Sequence, residues 1–133
     1  MSSLFAGVAR KHADLLYFLF RVLTGFMFMS HGLQKLGMLN GTFKVEGFIG
    51  VVGVCELIGG LAILLGIWTR LAALLGAILL LGAYIKVHAA GGLLPIMNKG
   101  ELALLYVAVF AILFVHGSGK WGVEKDVLKR EQF

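Results

Sequence analysis

Five side chains that can carry a proton or hold a ligand, His31, Lys35, Glu56, His88 and Glu101, fall inside or at the ends of long apolar runs. A charge at the centre of a membrane helix is unfavourable by about 2.5 to 3.5 kcal/mol on insertion scales. Each such group must therefore be paired, protonated or turned to an internal cavity. Glu56 is the most demanding. It lies near the middle of Val45–Trp68, VEGFIGVVGVCELIGGLAILLGIW, a stretch long enough to cross a bilayer at about 1.5 Å per residue. Helical spacing puts Gly53 and Gly60 on the face of Glu56, with Gly50 and Gly59 slightly off it. Glycines there remove bulk beside the acid, so that another helix or a flat ligand can approach closely.

Depth along the helices names the partners. Arg21 lies about 9 Å from the terminal end of the first apolar run, Glu56 about 17 Å and His31 about 24 Å from that same end. Two readings stay open: Glu56 pairs with Arg21 to fix helix packing, or it handles protons for a bound ligand. Arg21 itself can snorkel, form a structural ion pair or serve a site, whereas Lys35, at the far end of its helix, reads as a snorkelling anchor. Lys86 and His88 are two residues apart and point in different directions, with His88 expected inward and Lys86 snorkelling. Glu101 opens a helix, where the dipole favours an acid.

Other chemistries find little support. A metal held by His31, His88 and Glu56 lacks the short ligand spacing of an H-E-x-x-H site, and bis-histidine haem would need His31 and His88 opposite one another at one depth; neither group is expected. Cys55 is the single cysteine, which leaves no internal disulfide and no C-x-x-C pair, so any electrons must travel on something else. The run GSGKW, residues 117–121, superficially resembles a phosphate loop, but no hydroxyl residue follows Lys120 and a membrane helix, not a strand, precedes it.

The elements that must position these groups follow from composition. Of 133 residues, 59% are hydrophobic and 14% charged, which is membrane composition rather than that of a soluble domain. Apolar segments run over Leu15–Leu36, Glu46–Trp68, Leu71–Ala90 and Gly100–His116, each near spanning length. The expected fold is an all-α integral membrane four-helix bundle, antiparallel, forming one domain over residues 1–133. The tightest link, Thr69–Arg70, predicts a helical hairpin.

Residues 2–13 suit either a short interfacial helix or a disordered lead-in, and no A-x-A site follows, so the first helix is expected to be retained. The tail from Gly117 to Phe133 alternates charges, consistent with a short helix or a frayed end, and Trp121 fits an interfacial anchor. The formal net charge of +5 is informative by position. Arg10, Lys11, Arg70, Lys120, Lys125, Lys129 and Arg130 fall on the side of the termini, against Lys35, Lys44, Lys86 and Lys99 on the other. That asymmetry places both termini in the cytoplasm and explains the basic surplus without nucleic acid.

In order, RVLTGFMFMSHGLQKL, CELIGGLAILLGIWTRLAA, His88 before its glycines, GELALLY and the closing GSGKWGVEKD resemble the DoxX family over nearly the whole chain. The ending departs from the family's GPGRWSLD-like form at Ser118, Lys120 and Gly122. The resemblance implies a multi-pass protein of the cell membrane related to the membrane subunit of archaeal thiosulfate:quinone oxidoreductase. It further implies association with a redox complex, through a protein partner or a homo-oligomer.

A quinone would suit the residues physically, its ring against Gly53 and Gly60 and its carbonyls near Glu56, His31 or Arg21. Glu56 and His31 are then the candidate proton-handling residues, and Arg21, Gly53, Gly60, Lys35, His88 and Glu101 the candidate cofactor contacts. The competing reading is a non-catalytic membrane anchor or scaffold. Transport of a small solute or protons is a third, disfavoured because no internal repeat or pair of broken helices is visible.

Overall fold

The computed structural model describes residues 3–133, and within them every regular element is helical. Helix α1, Leu4–Lys11, starts where the Ser3 hydroxyl accepts from the Ala6 amide at 3.1 Å, satisfying one orphan donor of the first turn. Leu4, Phe5 and Val8 are exposed, and Arg10 and Lys11 occupy the last turn, so this is the amphipathic alternative for the lead-in; Ser2 lies outside the described residues.

Helix α2, Ala13–Lys35, opens with Asp14 in its first turn and buries Arg21, Thr24, Gly25, Phe28 and Gly32, one face at intervals of three and four. Helix α3, Gly47–Leu65, buries Gly50, Val52, Gly53, Glu56, Gly60 and Ile63. The two join through glycine. A Cβ added at Gly25 would stand 2.7 Å from the Gly60 carbonyl oxygen, and one at Gly32 would stand 2.6 Å from that of Gly53. Backbone therefore meets backbone, and any side chain at these positions would force the helices apart.

The hairpin turn falls earlier than Thr69–Arg70. It occupies Gly66–Trp68, with Gly66 at φ 73° closing α3 in the left-handed region and Trp68 also left-handed at φ 49°, while Thr69 and Arg70 already begin helix α4, Thr69–Ala83. Helix α4 runs on through a π-turn, Tyr84–His88, and a 3₁₀ turn, Ala89–Gly91. After the single turn α5, Pro95–Asn98, helix α6 spans Glu101–His116, and Val123–Asp126 forms the short α7. Phe28, Ile63, Ala73, Leu80, Tyr106, Phe110 and Leu113 make the core, with Phe110 seated over Gly76.

Three stretches, Ala13–Lys35, Gly47–Leu65 and Thr69–Gly91, are long and apolar enough to cross a membrane. The fourth apolar helix, α6, is shorter: its 16 residues extend about 24 Å against a hydrocarbon core of about 30 Å.

Candidate functional site

Glu56 is 3% exposed, and its partner is Lys35, not Arg21. The Lys35 ammonium donates to both carboxylate oxygens, at 2.8 and 3.1 Å. Gly53 makes this possible. A Cβ there would stand 3.0 Å from the Lys35 Cβ, so the lysine stem lies over the glycine and runs down to the acid one turn along α3. Lys35 is therefore no simple snorkelling anchor, although its side chain keeps 28% exposure at the rim.

Helix α6 supplies a residue whose chemistry the sequence did not announce. The Tyr106 hydroxyl is buried and finds no hydrogen-bond partner among the described residues. The His31 ring stands edge-on to the Tyr106 ring at 5.9 Å, and Phe28 flanks that ring at 5.6 Å. Leaving such a hydroxyl unmade is unfavourable by about 1 to 3 kcal/mol. Imidazole and orphaned phenol thus meet between α2 and α6, while the ion pair joins the same helix α2 to α3.

Gly60, by contrast, is closed to any ligand. A Cβ at residue 60 would stand 2.6 Å from the Met29 Cα, so the space a quinone ring would need there is occupied by α2, and Gly53 is covered by Lys35 and Leu36. The open space lies on the other side of α3. An apolar groove of about 570 Å³ between α3 and α4 is lined by Phe28, Cys55, Gly59, Ala62, Leu75 and Gly76 among others. Phe28 is the wall it shares with the Tyr106 cluster.

Arg21 belongs to a separate construction at the terminal end. It is 1% exposed, and among the described residues it pairs with no carboxylate. Its guanidinium instead donates to the carbonyls of Ser118, Lys120, Leu64 and Trp121, leaving only Nε without a partner. The loop 117–121 wraps this cation, and Tyr17 ties in Gly117 through its hydroxyl at 2.6 Å. A buried charge satisfied by four carbonyls positions backbone, and it has no donor pair left for a ligand oxygen. The tail beyond is docked, not frayed. Buried Glu124 accepts from the amides of Trp68 and Gln132, the Leu71 amide donates to the Phe133 carbonyl, and Glu131 bridges Arg70, Lys125 and the Ser118 amide. Burial alone would raise the Glu131 carboxyl, but the Ser118 amide and the two cations outweigh it and hold it below the ordinary carboxylate range.

His88 and Glu101 stand away from the cluster. His88 is half-buried and fastens the 91–100 loop, its Nδ1–H donating to the Asn98 carbonyl at 3.2 Å, while exposed Lys86 sets its ammonium 4.0 Å over the Phe48 ring. Glu101 is exposed in the first turn of α6. Among the described residues no three His, Cys, Asp or Glu side chains converge to hold a metal, so His31, His88 and Glu56 do not form one site.

Several known proteins resemble the chain. An uncharacterized protein of Haemophilus influenzae is 34% identical over 125 residues, covering 86% of this chain and 93% of its own. A Bacillus subtilis protein that bears the name "Putative oxidoreductase CatD" is 34% identical over 118 residues, 84% of this chain and 86% of its own. An uncharacterized membrane protein of Mycobacterium tuberculosis is 30% identical over 132 residues, 83% of this chain and 80% of its own. No solved structure gives a significant match. The DoxX family profile matches residues 16–89, which contain the glycine-joined α2 and α3, the Lys35–Glu56 pair and Arg21. The chain is a membrane protein of the DoxX family.

Proposed function

We propose that this protein is the membrane subunit of a redox complex, and that the Lys35–Glu56–Tyr106 cluster receives the headgroup of a quinone. The observation that carries this reading is the Tyr106 hydroxyl, a buried donor to which the described residues offer no partner, on a ring packed against α2, the helix that carries Lys35. The residues fit such a group in donor chemistry: Tyr106 and Lys35 can donate to a carbonyl oxygen, and Glu56 and His31 can hold or release a proton. Bound there, a quinone would supply two-electron, two-proton chemistry, with electrons delivered by a partner protein. Lys35 holds the Glu56 carboxylate at 2.8 Å, and its 28% exposure leaves the pair open to water at the rim. The groove behind Phe28 suits the apolar tail of the same molecule. The name of the Bacillus subtilis relative is in keeping with redox chemistry.

The same reading places the chain in the cell membrane as an antiparallel four-helix bundle with cytoplasmic termini. Its support is the register of Gly25 on Gly60 and Gly32 on Gly53, together with the basic surplus near the termini. A second reading, a non-catalytic anchor or scaffold, is favoured by Arg21, since the most deeply buried cation is committed to backbone. A photoactivatable short-chain quinone analogue in native membranes separates the two. Adducts are expected on the peptides that carry Lys35, Glu56 and Tyr106. Adducts spread evenly over lipid-facing residues would contradict the quinone site.

A further inference from the structure

The segment between α4 and α6 carries four apolar side chains that nothing in the fold covers: Leu93 at 96% exposure, Ile96 at 74%, Met97 at 72%, and exposed Leu94. A solvent loop of this composition would be unfavourable in water, since each apolar side chain left out forgoes the gain of burial. Its backbone, however, needs no water where the fold turns back. Buried Asn98 donates from its amide to the Tyr84 hydroxyl at 2.9 Å and the Gly92 carbonyl at 3.0 Å, and its side-chain oxygen accepts from the Gly100 amide at 2.8 Å. The Asn98 carbonyl accepts from His88 Nδ1–H, and the Gly100 amide also reaches the Pro95 carbonyl at 3.2 Å. Non-helical backbone is tolerated at membrane depth only where its polar groups are satisfied internally.

The length of α6 gives the reason for such a loop. Its 16 residues fall about 6 Å short of the hydrocarbon thickness, and Gly100 lies against the Tyr84 ring, below the end of the α4 continuation. Something apolar must fill the leaflet above α6. Glu101, the one acid beneath the loop, occupies the first turn of α6, where the helix dipole favours its charge.

We infer that Leu93–Met97 is a lipid anchor, its side chains entering the acyl boundary of the leaflet at that end while Asn98 satisfies the backbone that must follow them. The surface fits lipid chains, and the inference is independent of the quinone reading.

The test uses the full chain in phosphatidylcholine vesicles, with Cys55→Ser and a single fluorophore-bearing cysteine at Ile96 or, as reference, at exposed Lys44. Each is quenched by spin-labelled lipid or by iodide equilibrated on both sides. Lipid quenching is expected to exceed iodide quenching at residue 96, and the order to reverse at residue 44. Iodide quenching at 96 equal to that at 44 would overturn the anchor, and so would shielding from both quenchers, which would mean that protein covers the segment. Adding Asn98→Ala is expected to shift residue 96 toward iodide. Unchanged lipid quenching in that variant would overturn the role of Asn98.

Discussion

Lys35→Met leaves the Glu56 carboxylate buried without its cation, whereas Lys35→Met with Glu56→Gln leaves a neutral pair of similar shape. Breaking a fully buried pair by removing one partner costs about 3 to 5 kcal/mol. Lys35 retains 28% exposure, so solvent softens the loss, and about 2 to 3 kcal/mol is expected for the single variant. The double variant should recover most of it, which gives a coupling of about 1 to 3 kcal/mol. Arg21 provides the internal control. Its hydrogen bonds go to Ser118, Lys120, Leu64 and Trp121, so Arg21→Met is expected to destabilise strongly and Glu56→Gln to rescue none of that loss. Equilibrium unfolding in mild detergent, followed by circular dichroism, measures both cycles. Zero coupling for Lys35–Glu56, or equal coupling for Arg21–Glu56, would refute the assignment of the pair.

Gly60→Leu is expected to lower the melting temperature sharply because its Cβ alone would press on Met29 and Gly25, while Ile63→Leu, nearly volume-conserving, should lose under about 1.5 kcal/mol; equal melting of Gly60→Leu and parent would show that α2 does not approach there. Glu131 is held below its ordinary 4.5, so docking of the tail is stabilised above that value and weakens as pH falls through the lowered one. Limited proteolysis after Gly117 should therefore accelerate in acid, and Glu131→Gln should be cut readily at all pH values; parent tails equally resistant at both extremes would count against it. A reporter fused after Phe133 should be active only in the cytoplasm, and activity on the opposite side would reverse the orientation.

The glycine seam was legible because Gly25, Gly32, Gly53 and Gly60 recur at helical spacing beside deep polar residues. The burial of Glu56 was legible for the same reason, whereas for Arg21 snorkelling stayed open beside an inward role. Their partners were not. Measuring depth by helical rise alone favoured Arg21 or His31 for Glu56, because it ignored how far a lysine stem reaches once a glycine clears its path. The partners of Arg21 are backbone carbonyls nearly a hundred residues away, and carbonyls carry no side-chain signature. Tyr106 carries no sequence signal beyond a single hydroxyl in LALLYVAVFAILF. The inward turn of His88 relative to Lys86 was legible, but not its acceptor, the Asn98 carbonyl in a turn ten residues on.

The central claim is that the cluster at Tyr106 binds a quinone. Mass spectrometry of the protein copurified in mild detergent from its native membrane, beside Tyr106→Phe and Glu56→Gln, tests it most directly. Removing an unpartnered hydroxyl should leave stability unchanged or raise it by up to about 3 kcal/mol, so loss of ligand from Tyr106→Phe cannot be laid to unfolding. The account predicts stoichiometric quinone on the parent and its loss from both variants. Lipid alone on the parent, or full quinone retention in Tyr106→Phe, would contradict it.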